Sequence, residues 1–315
     1  MILGKISRRL SSPVKVMAVR NLPRLNRFLE DRLQLHLLRR HYYSPIPDPD
    51  DLEPGYWETV SELPGVDIGL DRGLGFIRDV VPRHIEGFRK RMPLHRVAGQ
   101  DFYLINGTYM AVDAHVYWCM IQHYRPRRIV EIGAHSSTMV STAAVAALQE
   151  ESGHTCRIDA IEPYPSDYLR RENGRTITLL EKKVQELPLD YFQELEAGDI
   201  LFIDSTHMLR QGSDVQYEYL EIIPRLKPGV LVHVHDISLP RHYPKVYFDQ
   251  QLYWNEQYLL QALLIFNSRI QVEWAGNAMM LAHPDAMLQA FPEINDMRAV
   301  YPSSEPTAFW MRVKP

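Results

Sequence analysis

The chain has 315 residues, 45% hydrophobic and 23% charged, with a formal net charge of −4, the profile of an ordinary soluble globular protein. Two cysteines, Cys119 and Cys156, exclude a disulfide scaffold, and no apolar run approaches a membrane span or a signal core. The expected location is therefore cytoplasmic, with both cysteines buried as small hydrophobes.

Charge is uneven. Residues 1–40 hold ten basic side chains, from Lys5 to Arg40, against Glu30 and Asp31, a net of +8, so the remainder carries −12. Such a leader can touch an anionic membrane or a protein partner, but a pair of solvated amphipathic helices packed on the body accounts for it too. A pI of about 6.4 without interleaved aromatic and basic residues argues against nucleic acid.

The leader reads helical, with breaks at Pro13 and Pro23. HYYSPIPDPDDLEPG is too rich in proline for helix or central strand, and its length suits a lid. Residues 73–92 and 111–124 read as helices. RRIVEIGAHSST then gives a short apolar run, a Gly turn at Gly133 and helix-capping hydroxyls ahead of MVSTAAVAALQEE. Strands follow in CRIDAIE, TITLLEK, DILFIDSTH and VLVHVHDI, with helices in VQYEYLEIIPRL and EQYLLQALLIF. IQVEWAG and NAMMLAH read as a closing antiparallel pair. This alternation predicts a Rossmann-like, doubly wound α/β sheet with helices on both faces. The expected division is a helical extension with its Pro-rich lid over 1–100 and the α/β domain over 101–315.

In open α/β sheets the ligand lies beyond the carboxyl ends of the strands. There the sequence places Glu131 and Gly133, Glu162, Gln185, Asp204 with His207, and His235 with Asp236. Each alone can be a helix cap or a core residue; their joint placement along one edge is harder to explain that way. Glu162, about thirty residues after the Gly turn, suits a ribose. One glycine in place of G-x-G-x-x-G, and no P-loop lysine, point from a dinucleotide to a nucleoside cofactor, S-adenosylmethionine. Asp204, Asp236 and the nearby histidines suit a divalent cation such as Mg²⁺, and His207 can act as general base or as ligand. His233, deeper on the strand, reads as a buried hydrogen-bonding residue.

The order of these motifs resembles class I S-adenosylmethionine-dependent methyltransferases, closest to a bacterial branch with FIDSSH-like and HDI-like motifs. It is also similar to metal-dependent O-methyltransferases acting on catechols and caffeoyl-CoA. The resemblance covers roughly residues 101–285. It implies a seven-stranded sheet with an antiparallel last strand. It places Glu131 and Gly133, with Ala134 and Ser137 in the following turn, beside the cofactor's methionine moiety. Glu162 falls at the ribose, and Val184 and Gln185 near adenine. Asp204 and Asp236 match metal-binding aspartates, and His207 stands where those relatives carry a lysine base. The asparagine that follows the second aspartate in them is Ile237 here, so His207 or His235 must complete a metal site. A second glycine of the first motif is His135.

The resulting expectation is O-methylation of a hydroxyl on a small sugar-like or natural-product acceptor. Cofactor contacts are expected from Glu131, Gly133, Ala134, Ser137, Glu162, Val184, Gln185 and Asp204. Catalysis would rest on His207 and Asp204, and a metal on Asp204, Asp236 and His235. An aromatic-rich segment, Pro240 to Tyr258, can cover the acceptor together with Tyr42 and Tyr43. A homo-oligomer is also compatible with the sequence. The rival readings are a non-catalytic module that binds cofactor and docks a partner, and a metal-dependent hydrolase or oxygenase using His207, His235 and Asp236.

Overall fold

A computed structural model describes residues 12–38 and 43–315. The chain divides into two compact units, residues 1–56 and 57–315. In the first unit one continuous helix spans Ser12–Leu33 and runs through Pro23, so the expected break there is absent. Residues 1–11 and 39–42, with much of the basic leader and Tyr42, lie outside the described residues.

The second unit is organised by a sheet of seven strands: β1 (Arg128–Ile132), β2 (Arg157–Ile161), β3 (Thr178–Leu180), β4 (Ile200–Ile203), β5 (Leu231–Val234), β6 (Ile270–Ala275) and β7 (Phe309–Val313). Their order is β3-β2-β1-β4-β5-β7-β6. Neighbours from β3 to β5 pair in parallel, and β7 is antiparallel to both β5 and β6. Every residue of β1, β4 and β5 is buried, as a parallel sheet covered on both faces requires. Alternation along the strands feeds two apolar layers. Ile129 and Phe202 join the layer under the helices Val81–Arg91, Asp113–Tyr124 and Ser136–Ser152. Val130, Ile132 and Ile203 join the layer under Asp214–Tyr217 and Glu256–Leu264. Helices Leu70–Asp79 and Val81–Arg91, which precede residue 100, supply Phe76, Val81, Ile85 and Phe88 to the first layer.

The expected closing hairpin is corrected. β6 ends at Ala275, and NAMMLAH belongs to a helix, Gly276–Ala282. Its Ala, Met and Leu are strong helix formers and it has no β-branched residue. The antiparallel partner of β6 is β7, from the C-terminal FWMRV stretch, reached after two more helices. Two smaller expectations also change. Cys119 is buried but Cys156 only partly so. Buried His233 makes no hydrogen bond through either ring nitrogen and instead stacks on Phe202 at 4.2 Å between centroids.

The helix Asp113–Tyr124 is buried along ten consecutive residues. Within it His115 is fully buried, accepting at Nδ1 from the Val112 N–H at 3.1 Å. Burial pushes its pKa down to about 4, with the Glu293 carboxylate opposing and Arg89 assisting. Below its ordinary pKa of 6.5 the unfolded chain takes a proton that the native state refuses, so stability falls as pH drops from about 6.5 towards 4. The decline due to this group is on the order of 3 kcal/mol. Urea unfolding at pH 7.5 and pH 4 checks it: His115→Gln should lose that part of the pH dependence.

Candidate active site

The site forms at the reversal of strand order between β1 and β4, where such folds open a crevice. Beyond β1 the chain turns at Gly133, whose φ is +77°. A Cβ built there would lie 1.7 Å from the Asp204 carbonyl oxygen, so only glycine lets the two strand ends meet. The Asp204 N–H donates to the Ile132 carbonyl at 2.8 Å, and the Gly133 N–H to that of Ile161 at 3.0 Å.

Asp204, His207 and Asp236 converge, with one ligating atom from each within 4.8 Å of the others. His207 Nε2 stands 3.4 Å from Asp204 Oδ1 and 3.5 Å from Asp236 Oδ2. On the other side of the ring, Nδ1 pairs with Glu256 Oε2 at 2.7 Å. Both His207 and Asp236 have positive φ, 57° and 55°, so their backbones hold uncommon conformations at the site. The His207 carbonyl accepts from the N–H groups of Asn255 and Glu256, which open the helix Glu256–Leu264. His235 approaches the same aspartates from its own side. Its Nδ1 faces Asp204 Oδ1 at 3.3 Å and its Nε2 faces Asp113 Oδ2 at 3.4 Å. His235 Nδ1 also stands 3.7 Å from Asp236 Oδ2, so the expected trio of Asp204, Asp236 and His235 is drawn together, and His207 reaches the same two aspartate oxygens beside it.

Electrostatics follow from this mixture. Burial disfavours charge on His207, but its hydrogen bonds with Asp204 and Glu256 outweigh that and raise its pKa well above the usual range. For His235, burial is likewise overcome, here by the charges of Asp236 and Asp204. Burial opposes ionisation of Asp204, yet His235 and His207 hold its carboxyl well below the usual carboxylate range.

The expected cofactor residues spread over the ends of β1, β2, β3 and, with Asp204, β4. Glu131 has no exposed surface; it accepts from Tyr117 at 2.6 Å, Ser141 at 2.7 Å and Thr138. It ties β1 to the two helices flanking it, and burial raises its pKa against the pull of those three hydroxyls. Ala134 and Ser137 are buried in the following turn, and the Ser137 Oγ has no partner. Glu162 is partly buried and holds the Tyr164 N–H at 2.8 Å. Val184 is buried, and Gln185 donates to the Gly212 carbonyl at 3.0 Å. The His135 side chain is exposed and meets the Ser136 hydroxyl at 3.0 Å.

Sequence reasoning missed Glu256, Glu218 and Asp113. Glu218 is fully buried and accepts from Ser205 at 2.9 Å; burial and the neighbouring Glu256 raise its pKa well above normal. It starts a π-helical turn, Glu218–Ile222, a distortion frequent at functional sites. Asp113 accepts from Thr307 Oγ1 at 3.0 Å and from the Ala308 N–H at 2.9 Å, joining the site to the residues that lead into β7. The signal for Glu256 was present: an acid that opens an otherwise apolar helix.

Residues 130–237 match the family described as a methyltransferase domain. An uncharacterized protein of Archaeoglobus fulgidus is 32% identical over 168 residues, covering 51% of this chain and 74% of its own length. The chain belongs to the family of that archaeal protein, and its residues 130–237 are a methyltransferase domain. Among solved structures, one described as cmcI-N160 SAH is 15% identical with a TM-score of 0.35, covering 70% of this chain and 86% of its own. The crystal structure of PH0851 is 14% identical with a TM-score of 0.38, covering 65% of this chain and 46% of its own. Likenesses this weak carry no argument about chemistry. Among the described residues, no helix is long and apolar enough to cross a membrane.

Proposed function

We propose that the protein transfers a methyl group from S-adenosylmethionine to a hydroxyl of a small sugar-like or natural-product acceptor. The observation that carries this reading is the convergence of Asp204, His207 and Asp236 beside the Gly133 turn, inside the methyltransferase domain. The chain's own residues fit the cofactor. The unpartnered buried Ser137 hydroxyl lies in the turn after β1 and suits the methionine moiety. Glu162, at the end of β2, suits the ribose hydroxyls. When bound, S-adenosylmethionine supplies an electrophilic methyl group.

His207 serves the acceptor hydroxyl. The acids around His207 favour its protonated ring, so the base role falls to the fraction of enzyme holding it neutral: there Nε2 takes the hydroxyl proton while Glu256, at Nδ1, fixes the ring and stabilises the positive charge it acquires. The same atoms fit a divalent cation: two carboxylate oxygens and one imidazole nitrogen, backed by a carboxylate on the far ring nitrogen. Asp204, His207 and Asp236 would hold such an ion, and its chemistry would be to lower the pKa of the hydroxyl. The aromatic segment expected to cover the acceptor supports the reading, since Arg241 and Tyr247 from it line a cavity that reaches Asp236.

Three measurements test this. Labelled methyl transfer to a panel of hydroxylated metabolites should give product, and its complete absence in a protein that binds S-adenosylhomocysteine would refute catalysis. Chelation should abolish transfer if the ion is resident and leave it untouched if His207 works as a base alone. Glu256→Gln keeps an acceptor oxygen but removes the charge; turnover should fall roughly 10- to 100-fold with little change in the KM for S-adenosylmethionine.

A further inference from the structure

We propose that the acceptor is a hydroxylated anion, bearing a carboxylate or a phosphate that pairs with Arg241 while its hydroxyl lies at Asp236. This rests on the methyltransferase reading above and adds the class of acceptor to it.

A cavity of about 380 Å³ opens from Asp236, within the range of small-molecule sites. Its lining includes acids already engaged within the protein. Asp113 is occupied by Thr307 and Ala308, and Glu305 accepts from Arg298 Nη2 at 2.8 and 2.7 Å. Arg241 is the one arginine or lysine of the lining. Partly buried, its side chain makes no ion pair or hydrogen bond among the described residues. An unpaired guanidinium half removed from water is a site for an anion, and its planar fork matches carboxylate and phosphate alike.

The position is built. The Arg241 N–H donates to the Ser238 carbonyl at 2.9 Å, its own carbonyl accepts from Gln257 Nε2 at 3.1 Å, and it forms an antiparallel bridge with Val60. Gln257 is fully buried and also accepts from the Ser238 N–H at 3.0 Å. The backbone of Arg241 is thus fixed from three directions while its charged end has no partner among the described residues.

A second orphan lies in the same wall. Asn277 is only 4% exposed, lines the cavity, and its Oδ1 has no hydrogen-bond partner. Buried polar atoms are rarely left so. An acceptor hydroxyl or amide N–H would complete it. One anionic group and at least two further polar groups on the same molecule describe a sugar acid, a sugar phosphate or a hydroxylated aromatic acid.

The test uses the full-length protein loaded with S-adenosylhomocysteine. Calorimetry compares glucuronate and glucose 6-phosphate with methyl glucoside, and 3,4-dihydroxybenzoate with catechol. At least one anion should bind ten-fold or more tightly than its neutral counterpart, and the sugar pair shows whether carboxylate or phosphate is preferred. Arg241→Gln should erase that preference while S-adenosylhomocysteine binds as before, and Arg241→Lys should restore part of it. Equal binding of anions and neutral counterparts, a preference that survives Arg241→Gln, or no binding of any anion would overturn the proposal with the methyltransferase reading intact. If S-adenosylhomocysteine itself does not bind, both fall.

Discussion

Alanine at position 133 should lower the free energy of unfolding by about 3 kcal/mol or more. Two costs combine. A left-handed backbone conformation penalises any Cβ by roughly 1–2 kcal/mol, and Gly133 holds φ +77°. The added carbon would also lie 1.7 Å from the Asp204 carbonyl oxygen, and forcing packed groups apart costs about 1–3 kcal/mol. The neighbour that must move is backbone, so no flexible side chain can absorb the clash. Because that neighbour is Asp204, the damage reaches the site. Urea unfolding checks the stability, and the surviving folded fraction should show weakened turnover beyond what the loss of native protein explains. A variant as stable as wild type would contradict the close approach of the two strand ends.

The second large effect concerns His207. His207→Ala removes the ring that stands between Glu256 and the two aspartates, leaving buried Glu256 without this partner and the aspartates with His235 beside them. Turnover should fall by about 10²- to 10⁴-fold, the range for loss of a positioned proton-transfer group. Binding of S-adenosylhomocysteine should change little, since His207 is not among the expected cofactor contacts. Steady-state kinetics beside calorimetry separates the two. Equal losses in turnover and in cofactor binding would instead make His207 a residue that shapes the cofactor side.

The parts of this fold that were legible in the sequence are those in which local pattern and tertiary role agree. The RIVEI run ending at a glycine, and the acids that close CRIDAIE and DILFID, announce strands and the edge where they end, because a doubly covered strand must be apolar and its polar residues collect at its tip. The antiparallel end of the sheet was legible as an architecture but misplaced in the chain. NAMMLAH is as apolar as a strand, and only its helix-forming composition tells it apart; β7 lies where nothing local marks it as the partner of β5 and β6. Glu256 was hidden for a related reason. An acid in the first turn of a helix has a sufficient local explanation in the helix dipole, and its pairing with His207, 49 residues away, is a property of the folded chain. Choosing between His207 and His235 as the third member of the aspartate group was likewise beyond the sequence. Both follow or flank an aspartate and both reach Asp204 and Asp236 in the fold; what separates them is the acid at the far ring nitrogen, Glu256 for His207 and Asp113 for His235.

The central claim is that the edge formed by the ends of β1, β2 and β4 holds S-adenosylmethionine, and titration of the full-length protein with S-adenosylhomocysteine tests it most directly. The account predicts saturable one-site binding by calorimetry, weakened about ten-fold or more by Glu162→Ala, consistent with loss of charge-assisted hydrogen bonds to the ribose. A folded wild-type protein that gives no heat of binding would contradict it.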